Sequence, residues 1–184
     1  FEAIIRALED GRQHNVSAIR LADENFATAM SRDERNAYET AQPLICAETK
    51  HHAQLVKQAD ALVFVYPTWW SGLPAQLKGW LERVFVLDVA FRFNEKNKIR
   101  PALQNIRHII GVSTYGSPWR YVKLVNDNGR RTLTRAIRAS TGLRTRTMWR
   151  GIYALDTCSA ADREKFIADT TRKIVKRLSK DAQR

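Results

Sequence analysis

Apolar residues recur along this chain with two periods, one near three to four residues and one of continuous short runs, and the two alternate. In "FEAIIRALEDG" (1–11), Phe1, Ile4, Ile5 and Leu8 share one helical face, and Gly11 is a suitable C-terminal stop. "NVSAIRL" (15–21) predicts a short strand, and a polar loop follows it. "CAETKHHAQLVKQA" (46–59) predicts a helix carrying Leu55 and Val56. "DALVFVYP" (60–67) is almost continuously apolar, the pattern of a parallel strand covered on both faces. Pro74 suits the first turn of the next helix, along which Leu77, Trp80, Leu81, Val84 and Phe85 recur at helical spacing. "RHIIGVST" (107–114) predicts a second buried strand. A polar, basic segment then leads to a helix near 130–141, stopped by Gly142. "RTMWRGIYAL" (146–155) predicts a further strand, and Ser159 with Asp162 opens a last helix over "AADREKFIADTTRKIVKRL".

Strands alternating with helices of this length predict an α/β fold: a doubly wound parallel sheet in a three-layer α/β/α arrangement. Ligands of such sheets bind beyond the carboxyl ends of the strands. That rule selects two turns, "PTWWSG" after 62–66 and "STYGSPW" after 108–112. Residues 1–184 read as a single domain. Because doubly wound domains normally open on their central strand and a phosphate-binding loop, one strand and one loop of about 15–20 residues are expected upstream of Phe1.

Composition adds three constraints. With 44% hydrophobic and 27% charged residues the chain reads as globular, and no apolar run approaches the length of a membrane span. Its opening residues carry acids and show no secretory pattern, and a cytoplasmic location is expected. Cys46 and Cys158 match no metal or redox spacing and are expected as reduced, buried thiols. His14, His51, His52 and His108 form no ligand set, so no metal is expected. The net charge of +12 is uneven: residues 1–118 hold 14 Lys/Arg against 13 Asp/Glu, and residues 119–184 hold 17 against 6. Three readings of the basic third stay open: a solvated helix face, contacts of its arginines to the phosphates of NADPH, or contact with nucleic acid or anionic membrane. No recognised binding module accompanies the charge, so nucleic acid is the least favoured partner.

Trp69 and Trp70 are the unusual residues, since turns favour Gly, Asn, Asp, Ser and Pro. Trp70 either plugs the end of the sheet or meets a flat ligand. Trp80, mid-helix on the apolar stripe, reads as core. Ser113 and Thr114 either contact a ligand or cap the following segment. Alternation alone accounts for Phe91 and Phe93, and a ligand role for them is equally open.

The stretch "ADALVFVYPTWWSGLPAQLKGWLERVF", with "AFRF" (90–93), "STYG" and "GIYALDTCSAADREKF", resembles the flavodoxin-like NAD(P)H:quinone oxidoreductases, the NAD(P)H dehydrogenase (quinone) or modulator of drug activity type. The similarity runs from about residue 1 to 178. It implies a homodimeric enzyme using FMN or FAD, reduced by NAD(P)H and reoxidised in a two-electron ping-pong cycle by a quinone or similar small aromatic acceptor. By the same resemblance, Pro67, Thr68, Trp69, Trp70 and Ser71 would run beside the flavin ring. Ser113, Thr114, Tyr115 and Gly116 would contact its other edge through backbone N–H groups. Phe91 and Phe93 would close over the partner subunit's flavin. Relatives often carry two glycines where this chain has Tyr115 and Gly116, so the Tyr115 side chain is expected to narrow the acceptor site or wall it. Asp88 and Val89 replace the usual Gly–Phe ahead of "AFRF". A second implied role is a regulatory or ancillary subunit that docks a partner, such as an ion-efflux system, through its basic face.

Overall fold

The computed structural model describes residues 1–11, 14–44 and 46–182. Helix α1 (Glu2–Asp10) buries Ile4 and Leu8 and closes at Gly11, whose right-handed φ of −69° gives an ordinary helix end. The polar stretch that follows contains a short helix, α2 (Arg32–Ala37). A capping box makes it: the Glu34 N–H donates to Ser31 Oγ at 3.1 Å, and the Ser31 N–H donates to Glu34 Oε2 at 2.8 Å. Then come α3 (Ala47–Gln58), β1 (Ala61–Pro67) and α4 (Ala75–Val84), with Pro74 one place earlier than expected, at the N-cap. The "AFRF" segment folds as an antiparallel hairpin of β2 (Phe91–Phe93) and β3 (Ile99–Pro101). Next are β4 (His108–Thr114), α5 (Trp119–Leu124) and α6 (Asn128–Arg131). A π-helical stretch over Thr132–Ile137 leads into α7 (Arg138–Ser140), and Gly142 follows at φ +83°. Strand β5 (Arg146–Ile152) and the long α8 (Ala160–Ala182), capped by Ser159 and Asp162, complete the chain.

The sheet has the order β1–β4–β5, all parallel. Its register is flush: Pro67 stands beside Thr114, and Thr114 beside Ile152, so the three carboxyl ends form one edge. On one face Ile110 and Val112 pack with Ile4, Leu8, Ile174 and Leu178 of α1 and α8. On the other, Phe64 and Ile109 pack with Val56, Trp80, Val84 and Leu133. This is the expected α/β/α layering. Two glycines mark close approaches within it. A Cβ on Gly79, the glycine of "LKGW", would lie 2.1 Å from the Thr28 carbonyl oxygen, and one on Gly111 would lie 2.2 Å from the Trp149 ring.

The expected strand over 15–21 does not form. Residues 14–20 have no regular structure, although Val16 packs with one face of the sheet and Ile19 and Leu21 with the other. A strand persists only where a neighbour satisfies its N–H and C=O groups, and no described strand lies beside this one. Between it and β1 runs a slot of about 930 Å³, lined by Ile4, Val63, Phe64, Leu77 and Leu178 among others. In consequence β1 is an edge strand, half-buried over most of its length rather than covered on both faces. Cys46 and Cys158 are unpaired thiols, half-buried rather than buried.

Candidate functional site

The flush carboxyl edge of the sheet brings the two selected turns together. After β1, Trp69 and Gly72 exchange both backbone hydrogen bonds, at 2.8 and 3.3 Å, around Trp70 at φ +46° and Ser71 at φ +58°. Two left-handed central residues define a type I′ turn, which Asn-Gly fills at little cost. Here two side-chain-bearing residues occupy it, at a cost of about 1–2 kcal/mol each. The result is an indole held wholly in solvent: Trp70 is 101% exposed and Trp69 63%. Trp70 therefore plugs no core. Trp80 does, at 5% exposure. Its Nε1–H donates to His52 Nδ1 at 3.2 Å, which places the His52 proton on Nε2, facing Glu24 Oε2 at 3.1 Å.

The turn after β4 is bound to the first. Thr68 Oγ1 and the buried Ser113 Oγ lie 2.7 Å apart, and the Thr68 N–H donates to the Thr114 carbonyl at 2.9 Å. Tyr115 runs inward: it is buried, its N–H donates to the Ile152 carbonyl at 2.9 Å, and its ring stacks on Tyr153 at 4.6 Å. Its hydroxyl donates to Asp127, 3.0 Å from both carboxylate oxygens. Burial, and then the Asp127 charge, push the Tyr115 phenol well above its ordinary value, so it remains a neutral donor. The side chain supports the turn from beneath instead of walling an open site. Gly116 is exposed beside Asp156.

Phe91 and Phe93 lie on the β2–β3 hairpin, their rings 6.3 Å apart and nearly perpendicular, with Phe93 exposed and Phe91 packed on the core. No hydrogen bond or ring contact joins them to either turn within the described residues. Asp127 is a member of the site that sequence reasoning missed. Its signal was "NDNG" (126–129), a cluster of turn-forming residues.

Exposed indoles on one turn and backbone donors on both suit a flat aromatic group that carries carbonyls. The N–H groups of Trp70, Ser71, Gly116 and Ser117 find no acceptor among the described residues, and the indoles supply stacking area. The residues present therefore fit the ring portion of a flavin. Among the described residues no three His, Cys, Asp or Glu side chains converge to hold a metal ion, and no helix is long and apolar enough to cross a membrane.

A family model described as flavodoxin-like fold matches residues 1–178. The chain belongs to that family. Among curated proteins, this flavodoxin-like chain is 39% identical over 66 residues to NAD(P)H dehydrogenase [quinone] 1 of Cavia porcellus, covering 36% of this chain and 24% of that one. The matched stretch is thus about a quarter of that relative's length. Among solved structures, the NAD(P)H:quinone oxidoreductase from Methanothermobacter marburgensis superposes with a TM-score of 0.76 at 21% identity, over 97% of this chain and 87% of that one. An FMN-dependent NADH-azoreductase from Bacillus anthracis, in complex with FMN, gives 0.75 at 13% identity, over 97% and 88%. At these identities the superpositions speak for the flavodoxin-like fold.

Proposed function

We propose that this protein is an NAD(P)H-dependent flavin oxidoreductase that reduces quinones or similar flat acceptors. One observation carries the reading: Trp70, fully exposed on a turn whose two central residues are both left-handed. Strained backbone persists where the surrounding structure enforces it and a site makes use of it. FMN is the flavin of choice, supported by the FMN-dependent structural neighbour. Bound FMN would supply the chemistry, a two-electron hydride exchange between nicotinamide and acceptor. The chain's residues bind and orient it. Trp69 and Trp70 offer ring area, with Pro67, Thr68 and Ser71 beside them. Donors around Gly116 and Ser117, held by Ser113, Thr114 and Tyr115, face developing negative charge without reorganising. No side-chain acid or base is required for the ring-to-ring transfer.

The test is a titration of the purified protein with FMN, followed by flavin fluorescence, and then NAD(P)H oxidation with a soluble benzoquinone. Saturable quenching and quinone-dependent oxidation are expected. A protein that quenches neither FMN nor FAD overturns the reading.

The same reading makes residues 1–184 one domain of a cytoplasmic homodimer, the exposed Phe93 and Ile99 of the hairpin supplying dimer contacts. It also assigns the slot beside β1 to a further parallel strand, since apolar side chains line it from both faces of the sheet. Residues 1–184 carrying a seven-residue apolar strand and a connecting loop ahead of Phe1 should show slower exchange of the β1 amides than residues 1–184 alone. Unchanged exchange would refute the assignment.

A further inference from the structure

Asp127 sits where the two turns meet. Its backbone is left-handed, with φ +43° and ψ +64°, and it follows Asn126 at φ +78°. The buried carboxylate accepts the Tyr115 hydroxyl at 3.0 Å on each oxygen and the Arg130 N–H at 3.4 Å on Oδ1. The next residue reaches across to the first turn, where the Asn128 N–H donates to the Ser71 carbonyl at 3.1 Å. Beyond it, Gly129 lies so close that a Cβ there would stand 3.2 Å from the Gly72 carbonyl carbon and 3.0 Å from Tyr66 Oη.

These contacts act on the strained part of the turn. The direction of the Ser71 carbonyl is the ψ angle of Ser71, the second central residue of the type I′ turn. A donor fixed 3.1 Å from that oxygen holds the Ser71–Gly72 peptide in the orientation the turn requires. The donor is itself fixed only if the two left-handed residues before it are fixed. Tyr115 achieves that by holding Asp127 from the β4 side. Anchor and load therefore lie on different strands, and Asp127 is the strut between them.

We infer that Asp127 is a positioning residue for the Trp69–Gly72 turn. Braced on Tyr115, it sets the 126–129 loop, and the loop clamps the Ser71 carbonyl so that Trp70 stays presented at the edge of the sheet. The effect on flavin retention rests on the function proposed above; the clamp itself does not.

Two readouts separate these. Amide exchange, measured by NMR for Gly72 and compared with Val112 in β4, reports the turn against the core. FMN affinity reports the site. Asp127→Ala should accelerate Gly72 exchange about tenfold relative to Val112 and weaken FMN binding by a similar factor, the size of one lost hydrogen bond. Tyr115→Phe should move both in the same direction by less. Adding Ser71→Gly to Asp127→Ala should restore both, because glycine takes the left-handed conformation unaided. A general loss of stability would not be rescued at this one residue. Unchanged Gly72 exchange, or failure of Ser71→Gly to rescue it, overturns the clamp. If Asp127→Ala does not fold, Asp127→Asn and Tyr115→Phe carry the same comparison. If the exchange results hold and the parent protein takes up no flavin, the clamp stands and the proposed function falls.

Discussion

Thr68 Oγ1 and Ser113 Oγ lie 2.7 Å apart, and this pair of hydroxyls joins the turn after β1 to the turn after β4. Ser113 is almost wholly buried, so Thr68 is the partner it depends on.

Thr68→Val keeps the shape and removes that partner. The expected loss is about 1 kcal/mol, the net worth of one hydrogen bond, which lowers the melting temperature by about 2–4 °C for a chain of this size. Thr68→Ser should lose less. Thermal unfolding followed by circular dichroism gives both values.

Trp70 and Trp80 should separate binding from folding. Trp70→Ala removes a side chain that touches only solvent, so stability should stay within about 0.5 kcal/mol while FMN affinity drops. Trp80→Ala empties a core position and leaves His52 Nδ1 without its donor, at a cost of about 3–5 kcal/mol. Urea unfolding beside FMN titration distinguishes them; equal stability losses would argue against the roles assigned here.

Gly79 explains a motif. The Thr28 backbone crosses α4 where a Cβ would lie 2.1 Å from its carbonyl oxygen. Gly79→Ala must push that segment away, and about 1–3 kcal/mol or more of overpacking is expected, although alanine is the better helix former. An unchanged urea midpoint would mean that the Thr28 segment yields freely.

Glu34 and Arg83 form a buried ion pair, with Arg83 Nη2 2.7 Å and Nε 2.9 Å from Glu34 Oε1. Burial opposes ionisation of Glu34, and donation from Arg83 and Ser31 more than offsets it, holding the carboxyl below its ordinary 4.5. A depressed carboxylate contributes stability that is fully present above the unfolded value and lost as pH falls through the folded one. Glu34→Gln should therefore destabilise strongly at pH 7. Removing one partner of such a pair typically costs about 3–5 kcal/mol. The difference from the parent should shrink as pH drops below about 4.5, and urea unfolding at several pH values tests it.

Much of this was legible in the sequence because each strand signal was local. Residues 60–67, 107–114 and 146–155 each have a described strand beside them and supplied β1, β4 and β5, although the last strand stops at Ile152, where Ala154 at φ +52° leads into a 3-10 turn over Leu155–Thr157. Residues 15–21 carried a similar signal and failed for want of a partner, which no local pattern reveals. The capping box at Ser31 and Glu34 is written in the sequence, but the helix it opens, "RDERNA", has no apolar face to set it apart from the polar stretch around it. For the candidate site, the sequence identified the turns and the contrast between Trp70 and Trp80. It did not show that Tyr115 runs inward, since that follows from the placement of Asp127 on a left-handed loop twelve residues on. Asp127 announced itself only as turn chemistry.

The full exposure of Trp70 also makes the turn visible to light. An indole wholly in water is reached by dissolved quenchers, whereas the Trp80 indole, buried and bonded to His52 Nδ1, is shielded from them. Iodide should therefore quench the Trp70 part of the chain's emission and spare the Trp80 part, so that the turn carries its own optical reporter.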